Sequence, residues 1–186
     1  MIIIERPITE LKFVSDISIA FEVNFILEFT QVGSKFEFEE LLLSSSFVKD
    51  YDSVSENHPL DWASEFDMSN WGLIFAEDEG KKIGSALIAY NTNGVNMLDG
   101  SKELAVLWDL RVSPEYRGQG VGKSLFDIAK HWARNHHCNE LKIETQNNNV
   151  GAVKFYLKQG AELRFVKANA YQDFPDEDML LFYITL

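Results

Sequence analysis

From Phe21 to Phe29 the chain alternates. Phe21, Val23, Phe25, Leu27 and Phe29 are apolar, with Glu22, Asn24 and Glu28 among the positions between them. A period of two predicts a half-buried strand. Gly33-Ser34 signals a turn, and Phe36 and Phe38 onward predict the return strand. Leu41-Leu42-Leu43 fits strand or helix. Upstream, Ile2 to Ile4 predict a short strand closed by Pro7. Thr9 to Ile19 predict a helix, with Thr9 as N-cap and Leu11, Val14 and Ile17 on its apolar side. Asp50 to Ser69, rich in Asp, Ser, Asn and Pro, predicts mostly loop.

The second half alternates strands with helices. Leu73 to Glu77 and Ile83 to Tyr90 predict a hairpin around Gly80, and Asn91 to Ser101 a connection. Glu103 to Val112 predicts a strand, ended by Ser113-Pro114 because proline cannot join a central ladder. After a glycine-rich turn, Arg117 to Gly122, apolar residues recur at steps of three and four: Val121, Leu125, Ile128, Ala129, Trp132 and Ala133. That is an amphipathic helix. Leu141 to Thr145 predicts a strand. Asn149 can cap a helix from Val150 to Gln159, with Gly160 as its stop. Leu163 to Ala170 and Met179 to Leu186 predict the last strands. No internal repeat is visible. The order predicts an α+β fold, a sheet with one parallel step in its middle.

Composition narrows the function classes. With 186 residues the chain predicts one domain, and 46 % hydrophobic residues exclude disorder. One cysteine excludes a disulfide scaffold and a cysteine-based zinc finger. A net charge of −12 gives no footprint for nucleic acid and repels anionic lipid. It attracts a cationic ligand, although acidity also serves plain solubility. No basic leader opens the chain and no stretch reaches the ~18 apolar residues of a membrane span. With the lone thiol Cys138 this predicts a cytoplasmic protein without membrane contact. His136-His137-Cys138 is rejected as a metal site, since neighbouring helical residues diverge and no second cysteine follows. The phenylalanines between Phe21 and Phe38 read as core, or as a face that a second copy covers in a homodimer.

The informative segment is the turn between strand and helix. Gly118, Gly120 and Gly122 let the backbone approach a ligand and adopt positive φ. The first helical amides lack intrahelical partners and sit at the positive end of the dipole, a phosphate-binding arrangement. Arg117 and Lys123 add charge. Gly122-Lys123-Ser124 imitates the end of a P-loop, but Arg117 stands where that motif needs glycine. A dinucleotide fingerprint fails because Lys123 occupies its third glycine position. A purely structural turn is the competing reading.

Arg117-Gly118-Gln119-Gly120-Val121-Gly122 resembles the [RQ]-x-x-G-x-[GA] motif of the GCN5-related N-acetyltransferases (GNAT), whose loop binds the pyrophosphate of acetyl-CoA. A second block, from Asn149 through Ala152, Phe155 and Tyr156 to Gly160, resembles that family's N-x-x-A-x-x-[FL]-Y-x-x-x-G helix. Trp-Asp-Leu-Arg-Val at 108–112, Glu-Thr-Gln-Asn-Asn-Asn at 144–149 and the later Tyr-Gln-Asp-Phe further resemble its streptothricin acetyltransferases. The resemblance implies a mixed, mostly antiparallel central sheet with a V-shaped splay between two central parallel strands and helices on both faces. It implies a variable substrate side at 1–70, an acetyl-CoA core at 103–163 and C-terminal strands at 164–186. Acetyl-CoA would be held by Leu110, Arg111 and Val112, by Arg117, Gly118, Gln119, Gly120, Val121, Gly122, Lys123 and Ser124, and by Asn149, Ala152 and Tyr156.

The chemistry needs more than a cofactor. An alkyl amine has a pKa near ~10.4, so at pH 7 almost all of it is protonated and a base must remove or relay a proton. Candidates are Glu144, Asp109 and Glu103; the bland readings are an exposed carboxylate for Glu144 and an ion pair with Arg111 for Asp109. By resemblance, Tyr156 protonates the leaving thiolate, against a reading as a core aromatic. Also by resemblance, the Val112 N–H, beside a bulge in its strand, meets the oxyanion. Leu110 and Val112 would pair with the pantetheine arm and Asn149 would hold it, unless Asn149 is only a helix cap. A streptothricin-like acceptor, a cationic small-molecule amine acetylated on its β-lysine, would meet Trp108, Asp109, Glu144, Tyr171 and Asp173, with Asp176, Glu177 and Tyr51-Asp52 as further candidates. That activity would give antibiotic resistance. The alternatives are a protein or polyamine N-acetyltransferase and a non-catalytic acyl-CoA-binding module.

Overall fold

The structure, a computed structural model, describes residues 1–54 and 57–186. Among these the chain forms strands β1 (Ile2–Arg6), β2 (Phe21–Val32), β3 (Lys35–Lys49), β4 (Gly72–Asp78), β5 (Lys81–Tyr90), β6 (Leu104–Val112), β7 (Glu140–Gln146), β8 (Glu162–Lys167) and β9 (Met179–Thr185). The α-helices are α1 (Pro59–Glu65), α2 (Val121–Asn135) and α3 (Val150–Lys158). Two compact units result: Met1–Phe21, Asp50–Leu141 and Leu186 in one, Glu22–Lys49 and Lys142–Thr185 in the other. The early hairpin therefore groups with the C-terminal strands.

In the first unit β1, β4, β5 and β6 lie side by side in that order, every pair antiparallel. Residues 72–76 of β4 and 83–89 of β5 are buried without a break. Such continuous burial requires cover on both faces of the sheet. On one face Leu11, Val14, Ile17 and Trp62 pack with Leu73, Phe75, Leu87, Ala89 and Val106. On the other lies α2, which buries Val121, Leu125, Phe126, Ala129, Trp132 and Ala133. Gly84 makes this approach possible: a Cβ there would stand 2.9 Å from Leu125 Cδ1. Each fully buried residue such as Phe75 contributes ~1.5–3 kcal/mol. In the second unit β7, β9 and β8 are neighbours in that order, β8 and β9 antiparallel, and β2 with β3 forms a separate two-stranded sheet.

Several expectations need correction. Thr9–Ile19 is not an α-helix. It is a 3-10 helix at Ile8–Phe13, with Pro7 rather than Thr9 at the cap, continued by i to i−3 bonds from Val14 to Leu11 and Ile17 to Val14. Leu11, Val14 and Ile17 recur every third residue, which is the 3-10 period. The ambiguous Leu41–Leu43 lies in β3. The loop expected over Asp50–Ser69 contains α1, started by Pro59 at its first position and capped by the His58 ring accepting from Leu60 N–H at 3.3 Å. Residues 55–56 of that segment lie outside the described ones. Ile128, assigned to the buried stripe of α2, is 40 % exposed, and Phe126 is buried in its place.

Candidate active site

One group of candidate residues belongs to the first unit. It begins with an irregularity in β6: Ile88 pairs with Leu107 and Leu87 with Asp109, so Trp108 is an extra residue. This is the β-bulge that the resemblance implied, but it stands at Trp108 and not beside Val112. A bulge turns two successive side chains to one side. Trp108 accordingly meets Trp71 at 5.2 Å, Phe66 at 5.4 Å and Trp62 at 6.2 Å between ring centres. Asp109 and Arg111 face the same side as Trp108, while Leu110 and Val112, the partners of Ala86 and Gly84, face α2.

Arg111 makes five side-chain hydrogen bonds here. Its Nε donates to Asp109 Oδ1 at 2.9 Å and its Nη2 to Asp109 Oδ2 at 2.6 Å. Nη1 donates to Asp52 Oδ2 at 2.7 Å and to the Ile17 carbonyl at 3.2 Å, and Nη2 to Asp52 Oδ1 at 3.1 Å. A guanidinium has five N–H groups, and these bonds use them all. Burial works against its charge, but Asp109 and Asp52 outweigh burial and hold its pKa above the ordinary arginine value. Two expectations fall here. Asp109 is not free to act as a base, because both its oxygens are held by Arg111. The Arg111 side chain has no donor left for a cofactor. Asp52, considered as an acceptor-side group, is likewise bound to Arg111.

The turn that follows has the conformation its glycines imply. Gly118 and Gly120 have φ of 76° and 88°, and an added Cβ would meet nothing within 4 Å at either position. The first hydrogen bond inside α2 runs from Ser124 N–H to the Gly120 carbonyl at 3.0 Å. The amides of Val121, Gly122 and Lys123 therefore lie ahead of the helical ladder. The two expected cations are engaged elsewhere. Arg117 donates to the Val112 carbonyl at 2.9 Å and the Ser18 carbonyl at 3.3 Å, and burial lowers its pKa. Lys123 pairs with Asp127 at 2.5 Å. Gln119 is held by the Glu115 carbonyl at 2.8 Å. What remains for an anion is chiefly main-chain N–H.

Another group of candidate residues belongs to the second unit. Glu144 on β7 accepts a hydrogen bond from the Tyr171 hydroxyl at 2.8 Å, and that hydroxyl accepts from Gln146 Nε2 at 2.8 Å. Burial raises the Glu144 pKa, opposed by the Tyr171 bond and by Lys142. Glu144 is thus not an exposed strand carboxylate. Asn149 caps α3, its Oδ1 accepting from Ala152 N–H at 3.2 Å. Tyr156 is buried, its ring 5.3 Å from Phe155 and 6.1 Å from Phe182. Asp173 and Asp176 are exposed. Glu177 is buried against Lys49 at 2.5 Å, so it faces a cation of this chain rather than an acceptor. Burial pushes the Cys138 thiol up to about 11, which keeps it a poor nucleophile. Among the described residues no helix is long and apolar enough to cross a membrane, and no group of three His, Cys, Asp or Glu side chains is arranged to hold a metal.

This geometry can be set beside known proteins. The family model described as the acetyltransferase (GNAT) family matches residues 37–161. The chain belongs to that family. Streptothricin acetyltransferase A of Bacillus subtilis (strain 168) is 29 % identical over 121 residues, 60 % of this chain and 65 % of that protein. A streptothricin acetyltransferase of Escherichia coli is 37 % identical over 73 residues, 39 % of this chain and 42 % of that protein. These matches span less than two thirds of the length of either relative. A Bacillus anthracis (strain Ames) protein, provisionally described as a streptothricin acetyltransferase and solved with acetyl coenzyme A, superposes with a TM-score of 0.78 at 26 % identity. That superposition covers 100 % of this chain and 99 % of the other. The mixed α+β GNAT fold expected from the motifs is therefore the fold of this chain. Gln146, Lys49 and the Asp52 contact went unread in the sequence. Only the alternation that puts Glu144 and Gln146 on one face of β7 could have pointed to the first of them.

Proposed function

We propose that this GNAT chain is an acetyl-CoA-dependent N-acetyltransferase acting on a primary amine of a cationic small molecule, with the β-lysine amine of streptothricin as the foremost acceptor. The observation that carries the reading is the turn with two positive-φ glycines ahead of the unlinked amides of α2. In favour of a diphosphate there, nothing stands where a Cβ would be and the first amides of α2 lack intrahelical partners. When bound, acetyl-CoA supplies an acetyl thioester, activated for attack by an amine.

The chain's residues divide the remaining work. The amides from Gly118 to Lys123 hold the diphosphate, and Leu110, Val112 and Asn149 align the pantetheine arm. Glu144 takes the proton of the incoming ammonium, directly or through water, and its carboxylate anchors that cation beforehand. Tyr156 would give its proton to the departing sulfur, and the second proton shed by the acylated nitrogen would restore its hydroxyl through solvent. The relatives named as streptothricin acetyltransferases and the net charge of −12 favour a cationic acceptor. Acetylation would remove one of the antibiotic's charges and so give resistance.

The test incubates the chain with acetyl-CoA and, separately, streptothricin, spermidine or a lysine peptide, and follows free CoA thiol. Release with streptothricin alone is expected. Release only with spermidine or the peptide would move the acceptor, and release with none would leave a binding module. In the same series Gly120→Val should weaken acetyl-CoA binding by about tenfold or more by calorimetry, because a β-branched residue is strained at positive φ. Unchanged affinity would remove the turn from the cofactor site.

Glu144 also sets a pH dependence. Its raised pKa means that the folded chain holds this proton more tightly than the unfolded chain does. The base form is lost as pH falls through that raised value, so kcat/KM should show an acid limb above the usual glutamate range. Stability runs the other way: it falls as pH rises through the same window, where burying the charge is costly. Glu144→Gln is expected to lose the acid limb and most turnover while melting no lower than the wild type at pH 7.

A further inference from the structure

The loop joining β8 to β9 is folded on itself. Ala170 N–H donates to the Glu177 carbonyl at 3.0 Å, Glu177 N–H to the Phe174 carbonyl at 3.0 Å, and Phe174 N–H to the Tyr171 carbonyl at 3.2 Å. Asn169 N–H donates to Asp178 Oδ1 at 3.0 Å, and the Asn169 amide also bonds the Pro175 carbonyl. Tyr171 is thus carried by a small rigid body rather than by a slack connection.

Besides the Tyr171 bonds to Glu144 and Gln146, two of the described contacts tie that loop to the rest of its own unit. At its end, Asn147 and Asp178 exchange bonds: Asp178 N–H to Asn147 Oδ1 at 3.0 Å and Asn147 N–H to the Asp178 carbonyl at 3.2 Å. Nearer Tyr171 the contact is Lys49, the last residue of β3. Its ammonium stands 2.5 Å from Glu177 Oε1 and 3.3 Å from the centre of the Phe174 ring. The Lys49 side chain is 7 % exposed and that of Glu177 11 %. A buried ammonium is tolerated only where a carboxylate and a ring face replace its water. Phe174 and Glu177 lie three and six residues after Tyr171, so the ammonium grips the same short turn that presents the tyrosine.

We propose that Lys49 is a positioning residue for the acceptor side of the site: by clamping Phe174 and Glu177 it holds the Tyr171 hydroxyl against Glu144. The role rests on the reading of Glu144 as amine anchor and base. The described contacts of the Lys49 ammonium are with Glu177 and Phe174, so it acts through Tyr171. Without the clamp the turn relaxes, Tyr171 leaves Glu144, and the carboxylate loses the bond that opposes the effect of its burial. Among the described contacts, Tyr171 from the loop and Lys142 from its own strand face Glu144, and Glu177 faces Lys49.

The experiment follows the Glu144 carboxyl by NMR titration and the acetylation kinetics in four proteins: wild type, Lys49→Met, Tyr171→Phe and the double variant. In Lys49→Met the Glu144 titration should move to higher pH, as in Tyr171→Phe, and the double variant should move no further. A through-space effect of the lost charge would instead persist in the Tyr171→Phe background, and that result, or no shift in Lys49→Met, overturns the proposal. Kinetically, kcat/KM for the amine should fall about tenfold, the scale of one bond to a charged group, with acetyl-CoA affinity unchanged. Lys49→Arg keeps both the charge and the stacking and should recover most of the loss. Should Lys49→Met fail to fold, Glu177→Gln provides the same comparison. If the wild type acetylates no amine but the titrations stay coupled, the functional reading fails and the clamp stands. If it acetylates amines and Lys49→Met matches it, the clamp fails and the reading stands.

Discussion

Arg111→Met is expected to destabilise the fold by about 3–5 kcal/mol, because it strips the partner from a buried carboxylate. Asp109 has a side chain only 4 % exposed, and both its oxygens are held by Arg111. The substitution also frees Asp52 and leaves the Ile17 carbonyl without its donor. For a chain of this length each kcal/mol lowers Tm by about 2–4 °C, so a fall on the order of 10 °C is expected in a thermal melt. A second substitution separates the causes. Adding Asp109→Leu removes the stranded charge and should restore part of the stability, since an apolar replacement for a buried ion pair is often neutral. A melting point within 2 °C of the wild type in Arg111→Met, roughly the effect of a surface substitution, would show that the guanidinium is not the hub described above.

Tyr156→Phe is expected to lower kcat by about 10²–10³-fold, the range of a lost general acid. The ring contacts with Phe155 and Phe182 are kept by phenylalanine, so folding should survive and acetyl-CoA affinity should stay within a small factor. The pH profile supplies a sharper check. A thiol with pKa near ~8.5 leaves unaided as thiolate once the medium is alkaline. The deficit of the variant should therefore shrink above about pH 9. A deficit equally large at all pH values would mean that the hydroxyl shapes the site instead of giving up a proton. Turnover equal to the wild type would remove Tyr156 from the chemistry.

What the sequence disclosed and what it withheld divide along a physical line. The glycine turn, the Asn149 cap and the strand–helix order are local: their signals are conformational needs of a few successive residues. They were legible, as was most of the alternation of β2, although its Phe25 is exposed. The 3-10 segment was legible in principle, since Leu11, Val14 and Ile17 repeat every third residue, but three apolar positions fit a longer helix equally well. The hidden features are those in which a side chain chooses among distant partners. Asp109 had two readings, base or ion pair, and the choice depended on Asp52, whose carboxylate meets the guanidinium from 59 residues away. Lys49 finds Glu177 across 128 residues. No periodicity announces such a pair. The bulge at Trp108 was hidden for a related reason. It is visible only when β5 is laid beside β6.

That bulge has a consequence for how β5 and β6 find each other. If the irregularity were ironed out and Trp108 took the place opposite Leu87, Asp109 and Arg111 would swing beneath α2, toward Val121 and Leu125. The guanidinium would then enter an apolar layer, beyond reach of Asp52 and the Ile17 carbonyl. A misaligned sheet would keep nearly all of its oily surface covered yet bury the Asp109–Arg111 pair without the Asp52 carboxylate and the Ile17 carbonyl that complete it. The ionic knot thus makes a slipped alignment costlier than hydrophobic burial alone would make it.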